Sequence, residues 1–327
     1  MKFSALALCL IGLASAAPHP NIEARAAVTD RPIGFASMNG GTTGGAGGAA
    51  TTVSTIDIEA SMPTERIDQL VAAVAGDAKK IVYLAGPITG ARTVEIGSNT
   101  SLLGKNSKAV LTGIGLRIKN RQNVIVRNIG LSKVLTKTGD AVFIWGSTNV
   151  WIDHVDLSSE LGKADSLYDG LIDINHAADL ITISNSRFHD HTKVCLIGHA
   201  DNNKAEDSGH LRVTYHDNLF ENLRTRTPSI RYGTAHVFNN YYKNVELAVN
   251  TRLNAQVLVE ANVFEGVSKP IYSTDAGYAV AVDNALGTGA NTAPKGSLTS
   301  VPYKYTKKPV SAVKGAVIGS AGMTLSF

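Results

Sequence analysis

Three segments between residues 213 and 264 share one pattern: Val213-Thr214-Tyr215 leads to Asn218 and Phe220, His236-Val237 to Asn240 and Tyr242, and Val257-Leu258-Val259 to Asn262 and Phe264. Each is a short apolar run, an asparagine, one residue and an aromatic ring, and the asparagines recur at a spacing of 22. Self-similarity at this period marks a solenoid. β-Branched residues dominate the runs and leucine-rich spacing is absent, which favours stacked strands. The fold class expected is all-β, a right-handed single-stranded parallel β-helix. In such a stack the asparagine amides can hydrogen-bond from coil to coil, so Asn218, Asn240 and Asn262 are given a structural role.

Moving toward the N-terminus, Val124-Ile125-Val126, Val150-Trp151-Ile152 and Ile181-Thr182-Ile183 continue the pattern, but the intervals from Ile129 to Val155 to Ser186 to Asn218 lengthen to 26, 31 and 32. Those coils must carry larger loops, where function is commonly placed. Ahead of them, Ile67, Leu70, Val71 and Val74 share one helical face from Pro63 to about Ala75, and Gly76 suits the stop, so a short N-terminal capping helix is expected. The glycine-rich stretch Asn39–Gly48 lacks the Gly-Lys-Ser/Thr of a phosphate loop and is read as a surface turn. Beyond Gly266 the period fades, and the tail is read as strands and coil packed outside the solenoid.

Met1 and Lys2 precede an apolar run from Phe3 to Leu13 and the small residues Ala14-Ser15-Ala16. This has the layout of a signal peptide over residues 1–16, with 17–26 a candidate pro-segment and 27–327 one catalytic domain, so a secreted, extracellular protein is expected. No later run reaches the length of a membrane span. Cys195 stands in an apolar segment and reads as a buried, inert thiol. The formal net charge of +4 and pI of about 8.9 suit a polyanionic partner. No basic cluster interleaved with stacking aromatics points to nucleic acid, and a monomer is expected.

In the long-loop region three carboxylates stand out: Asp140, and the pair Asp169 and Asp173. Stacked coils about 4.8 Å apart can bring such groups together, and like charges so placed call for a cation. Oxygen-only ligands favour calcium. Downstream, Arg226-Thr227-Pro228-Ser229-Ile230-Arg231 sets two cations around a proline, and Lys193 lies in a segment, Thr192–Ile197, read as one apolar strand. Metal and cations together would grip an acidic polymer.

At these residues the chain resembles the pectate lyases of the first polysaccharide lyase family. The resemblance rests on Asn149-Val150-Trp151-Ile152-Asp153-His154 and Arg226-x-Pro228-x-x-Arg231, and covers nearly all of the chain after the signal segment. It implies calcium-dependent, endo-type β-elimination of polygalacturonate or low-ester pectin. By the same resemblance Asp140, Asp169 and Asp173 ligate Ca2+, Lys193 and Arg231 bind uronate, Arg226 is the base, and Arg252 matches a further substrate-binding arginine. Asp153 and His154 match residues that hold coils together. There are departures: Thr138 stands where an aspartate is usual, Asp169 replaces glutamate, and Asn175 replaces a substrate-binding lysine. A free guanidinium loses its proton only above about pH 12, so an arginine base implies an alkaline optimum, with neighbouring cations favouring its neutral form.

Three rivals are weighed against this reading. A pectin lyase would carry a cation in place of the acidic pair and an aromatic-rich groove, whereas this chain keeps Asp169 and Asp173 and is 6% aromatic. A glycosidase on a similar solenoid would need Gly-His-Gly before Arg-Ile-Lys; here Arg117-Ile118-Lys119 precedes Gly198-His199-Ala200. A non-catalytic polysaccharide-binding β-helix would need no base at Arg226. The sequon Asn99-Thr100-Ser101 marks a candidate glycosylation site at Asn99.

Overall fold

Strands alternate with turns from Lys80 to Val282 because apolar runs of three to ten residues are punctuated by Asn, Asp and Gly, which tolerate the left-handed backbone of a sharp corner. The computed structural model describes residues 30–53, 63–163 and 166–327. The expected signal segment and residues 17–26 lie outside the described residues.

Ten strands, from Ala49–Val53 through Asp179–Ser184 to Tyr278–Val282, form one sheet in chain order. A second sheet folds back on itself at the long strand Val110–Lys119, whose first half pairs Gly130–Ser132 and whose second half pairs Val142–Trp145. Each coil thus visits three ladders, the arrangement of a parallel β-helix. The first helix, α1, runs Pro63–Val74 and buries Ile67, Leu70 and Val74 against the opening coils, with Gly76 at φ 74° beyond its end.

The interior is a stack of like on like. Phe188, Phe220, Tyr242 and Phe264 pile face to face with centroids 4.9, 4.7 and 4.5 Å apart. The asparagine ladder expected from the spacing is present: Asn218 Nδ2 donates to Asn240 Oδ1, Asn240 Nδ2 to Asn262 Oδ1, and Asn262 Nδ2 to Asn284 Oδ1, each at 2.9 Å. The same oxygens also accept from the backbone N–H one coil below. These buried amides are therefore satisfied twice over, which a buried polar group requires. In the longer coils the column continues with Ser186, whose N–H donates to Asn218 Oδ1 and whose hydroxyl accepts from Val155 N.

Three expectations need correction. The segment from Thr192 to Ile197 is not one strand: Arg187–Lys193 ends at Lys193, Val194 turns the corner, and Cys195–Ile197 begins the next ladder. The strands expected after Gly266 do not lie outside the solenoid, because Lys269–Ser273 and Tyr278–Val282 add a further coil in register with Leu247–Arg252 and Gln256–Glu260, and a helix runs Val310–Ser320. The glycine-rich stretch turns, but against the ten-stranded sheet: Thr43 and Gly44 donate to Asn123 Oδ1, and a Cβ on Gly45 would collide with the Lys80 carbonyl.

Asp153 holds this framework together on the outer side of the ten-stranded sheet. It accepts from Arg127 Nε at 2.7 Å, Ser184 Oγ at 2.6 Å and Asn185 Nδ2 at 2.9 Å, and pairs with His154 Nδ1 at 2.7 Å. Burial alone would raise its pKa, but the bond and charge of His154, with Arg127, hold it at about 2. It clamps adjacent coils, as the resemblance implies.

Candidate active site

Strand Ile172–Asn175 lies between Val142–Trp145 and Cys195–Ile197, and beyond the latter follow Ser229–Arg231 and Leu247–Arg252. Ile172 and Ile174 point into the core, so alternation turns Asp173 and Asn175 to the outer face. Asp140, Asp169 and Arg226 stand at the turns entering these strands, and Lys193 ends the strand Arg187–Lys193 just before another such turn. One face of four successive coils therefore gathers every catalytic and metal-binding candidate.

The acids are not equivalent. Asp140 and Asp173 converge on Gly170, whose N–H donates to Asp140 Oδ1 at 2.8 Å. A Cβ at Gly170 would stand 2.8 Å from Asp140 Oδ1 and closer still to Asp173 Oδ1, so only glycine leaves this space open. Burial, then the charge of Asp169, pushes Asp140 up to about 7. Burial and the charge of Asp140 raise Asp173 well above the ordinary carboxylate range. Asp169 turns instead to Lys193, whose Nζ lies 3.1 Å from its Oδ1. Among the described residues no three His, Cys, Asp or Glu side chains close on one point as a ready metal cluster. Two buried acids facing one gap nevertheless fit a hard cation as a partial oxygen shell, since an uncompensated pair of like charges is costly there.

Behind Asp169, His191 Nε2 lies 2.7 Å from the Asp169 carbonyl and its Nδ1 2.5 Å from Ser159 Oγ, tying the loop to the coil beneath. Lys193 and Arg226 stand on adjacent coils, with Thr225 stacked directly on Lys193 and Cys195 N–H donating to the Arg226 carbonyl at 2.7 Å. Arg226 has φ 64°, the left-handed corner conformation that Lys133, Leu211, Tyr232 and Leu253 also adopt in this solenoid. Its charge acts on Asp140 and Asp173 alike, drawing both back toward ionisation. Cys195 beside it is fully buried, and burial pushes its thiol up, as expected of an inert cysteine.

Arg231 and Arg252 are register partners on stacked strands. Asp201 joins them, 2.5 Å from Arg231 Nε and 3.4 Å from Arg252 Nη2, and Arg252 also meets Asp275 at 2.9 Å. The bond and charge of Arg231 lower the pKa of Asp201. Sequence reading missed Asp201: it lies in the loop after Gly198-His199-Ala200, and nothing local marks it. It also missed Trp145, which alternation with the buried Val142 and Ile144 does place outward. Asn99 Nδ2, the atom a glycan would take, donates to Asp77 O at 2.9 Å, and Thr100 and Ser101 are buried.

The sequence pattern of the pectate lyase family matches residues 12–325. The chain is 54% identical over 326 residues to the probable pectate lyase A of Aspergillus flavus, covering 99% of this chain and 98% of that one. It is 50% identical to pectate lyase A of Emericella nidulans, across 100% and 99% of the two chains. Among solved structures, the pectate lyase of Bacillus sp. N165 in complex with trigalacturonate superposes with a TM-score of 0.78 at 32% identity, covering 89% of this chain and 98% of that one.

Proposed function

The chain belongs to the pectate lyase family, and we propose that its reaction is calcium-dependent, endo-type β-elimination in (1→4)-α-D-galacturonan, with Arg226 as base. The observation that carries this reading is the juxtaposition of two buried, mutually repelling acids, Asp140 and Asp173, with Lys193 and Arg226 on one outer face. Asp140 and Asp173, with Asp169, would hold calcium. When bound, that ion would neutralise the uronate carboxylate and so lower the cost of charge developing at the adjacent carbon.

The chain's own residues do the rest. Lys193 and Arg231 would hold uronate carboxylates and add fixed positive charge where it is needed. Arg226 would take the C5 proton; the electron pair left behind forms the C4–C5 double bond as the C4–oxygen bond breaks, and the departing oxygen is protonated by solvent. Side chains continue along the stack on both sides of Arg226, toward Trp145 in one direction and Arg252 in the other, which supports cleavage within a chain rather than at its end. The segment at Met1–Ala16 supports export, with residues 27–327 as one catalytic domain.

The test is the ultraviolet absorbance of unsaturated product from polygalacturonate, with calcium and with excess chelator, across pH. Product that needs calcium and rises toward alkaline pH is expected. Activity indifferent to chelator would overturn the calcium assignment, and a maximum at acid pH would overturn Arg226 as base.

A further inference from the structure

Arg231 and Arg252 are opposite one another on neighbouring coils, so two guanidiniums meet on the outer face. Like charges directly opposite repel, and long side chains would relieve the repulsion by splaying into solvent. These two do not splay: their side chains are only 11% and 19% exposed, while the acids that hold them, Asp201 and Asp275, are 61% and 52% exposed. The cations are the covered partners and the acids the open ones.

Each guanidinium is gripped by two of its three nitrogens. Arg231 Nε donates to Asp201 Oδ1 at 2.5 Å and Nη1 to the Gly198 carbonyl at 2.8 Å. Arg252 Nε and Nη2 donate to Asp275 Oδ2 at 3.2 and 2.9 Å, and Nη2 also reaches Asp201 Oδ1 at 3.4 Å. Left over are Nη2 of Arg231 and Nη1 of Arg252, neither with a hydrogen-bond partner among the described residues. A guanidinium is planar, so fixing two nitrogens fixes the direction of the third.

Asp201 is common to both arms, since one oxygen serves Arg231 and Arg252 together. Its own place is set by Tyr232, whose hydroxyl donates to the Asp201 carbonyl. Gly198 follows Ile197, whose ladder partner Ile230 precedes Arg231, and a Cβ there would stand 3.1 Å from Arg231 Cβ. With two arginines against two aspartates the cluster carries no formal net charge, so it would draw a polyanion through aimed N–H groups rather than through its field. On charge alone an exposed acid facing an acidic polymer is a liability, and its retention calls for a compensating role.

We propose that Asp201 is a positioning residue: it holds Arg231 and Arg252 side by side, each with one nitrogen left for a uronate carboxylate. The inference rests on the lyase reading above and adds to it an acid that helps to bind an acid.

KM and kcat on polygalacturonate at fixed calcium test this in wild type, Asp201→Ala and Asp201→Asn. Alanine removes the acceptor of Arg231 Nε, whereas asparagine keeps an oxygen there and drops the charge. Asp201→Ala raises KM about tenfold with kcat within about twofold of wild type, and Asp201→Asn recovers most of the loss. Both variants melt with wild type, because Asp201 is exposed. A KM in Asp201→Ala no higher than in Asp201→Asn overturns the role, and a KM below wild type in both would mean that Asp201 only repels the polymer. Calorimetric binding of trigalacturonate in the Arg226→Ala background reads the same order without turnover. No unsaturated product from wild type with that binding order intact would count against the reaction alone; product from wild type with both variants binding alike would count against Asp201 alone.

Discussion

The amide column from Asn218 to Asn262 and the outer face that carries Asp140, Asp173 and Arg226 belong to the same stack of coils, yet they use their buried polar groups in opposite ways. In the first, Asn218, Asn240 and Asn262 satisfy one another in a closed column, and Phe220, Tyr242 and Phe264 stack behind them. In the second, Asp140 and Asp173 repel each other and Asn175 has an idle acceptor. The amide column is satisfied within itself and the acidic gap is not, which is the expected division between scaffold and site.

Substituting Arg226→Ala should separate the two regions most sharply. The rate of unsaturated product formation falls about a thousandfold, while the melting temperature stays where it is. A melting shift comparable to that of a ladder mutant would mean that Arg226 belongs to the scaffold.

Asn240→Ala does the converse. It strips the acceptor from Asn218 N and Nδ2 in a dry interior, at a cost of about 3 kcal/mol, with kcat unchanged in whatever fraction remains folded. Denaturant titration measures the first and active-site-normalised kinetics the second.

A somewhat smaller effect is expected in acid. Asp153 is held at about 2, below its unfolded value near 3.9, so its contribution of about 2 kcal/mol is present above pH 4 and is lost as pH falls through 2. Stability measured from pH 5 to pH 2 should fall more steeply in wild type than in Asp153→Asn.

The least of these is also opposite in sign. In calcium-free protein, Asp173→Asn relieves the repulsion with Asp140 and raises stability by about 1 kcal/mol. The same substitution removes the melting shift that calcium produces in wild type. If calcium raises the melting temperature of both equally, the ion is held elsewhere.

Much of the scaffold was readable because its rule is local and repeated: a 22-residue period puts equivalent residues on equivalent faces, so Asn218, Asn240 and Asn262 could be assigned to one column from numbering alone. Where intervals lengthen to 26, 31 and 32, that arithmetic no longer says which residue stacks on which. The corner at Val194 was misread for this reason; the coil through Tyr278–Val282 keeps the 22-residue step from Asn262 to Asn284 and was missed because Leu286 stands where the earlier coils carry a ring. The site was legible as residue types that matched a resemblance, but not as a geometry.

The amino-acid order alone thus dictates a stacked β-solenoid with an amide column and an aromatic column, because backbone pairing and like-on-like burial act at every coil in the same way. That Asp140 and Asp173 share the gap over Gly170 while Asp169 turns to Lys193, that Asp201 joins Arg231 to Arg252, and that Asn175 stands idle beside Trp145 are matters of register between coils with unequal loops. Such contacts join residues about one coil or more apart, from 24 positions for Asp169 and Lys193 to 51 for Asp201 and Arg252, and their distances exist only once the chain has closed around its core.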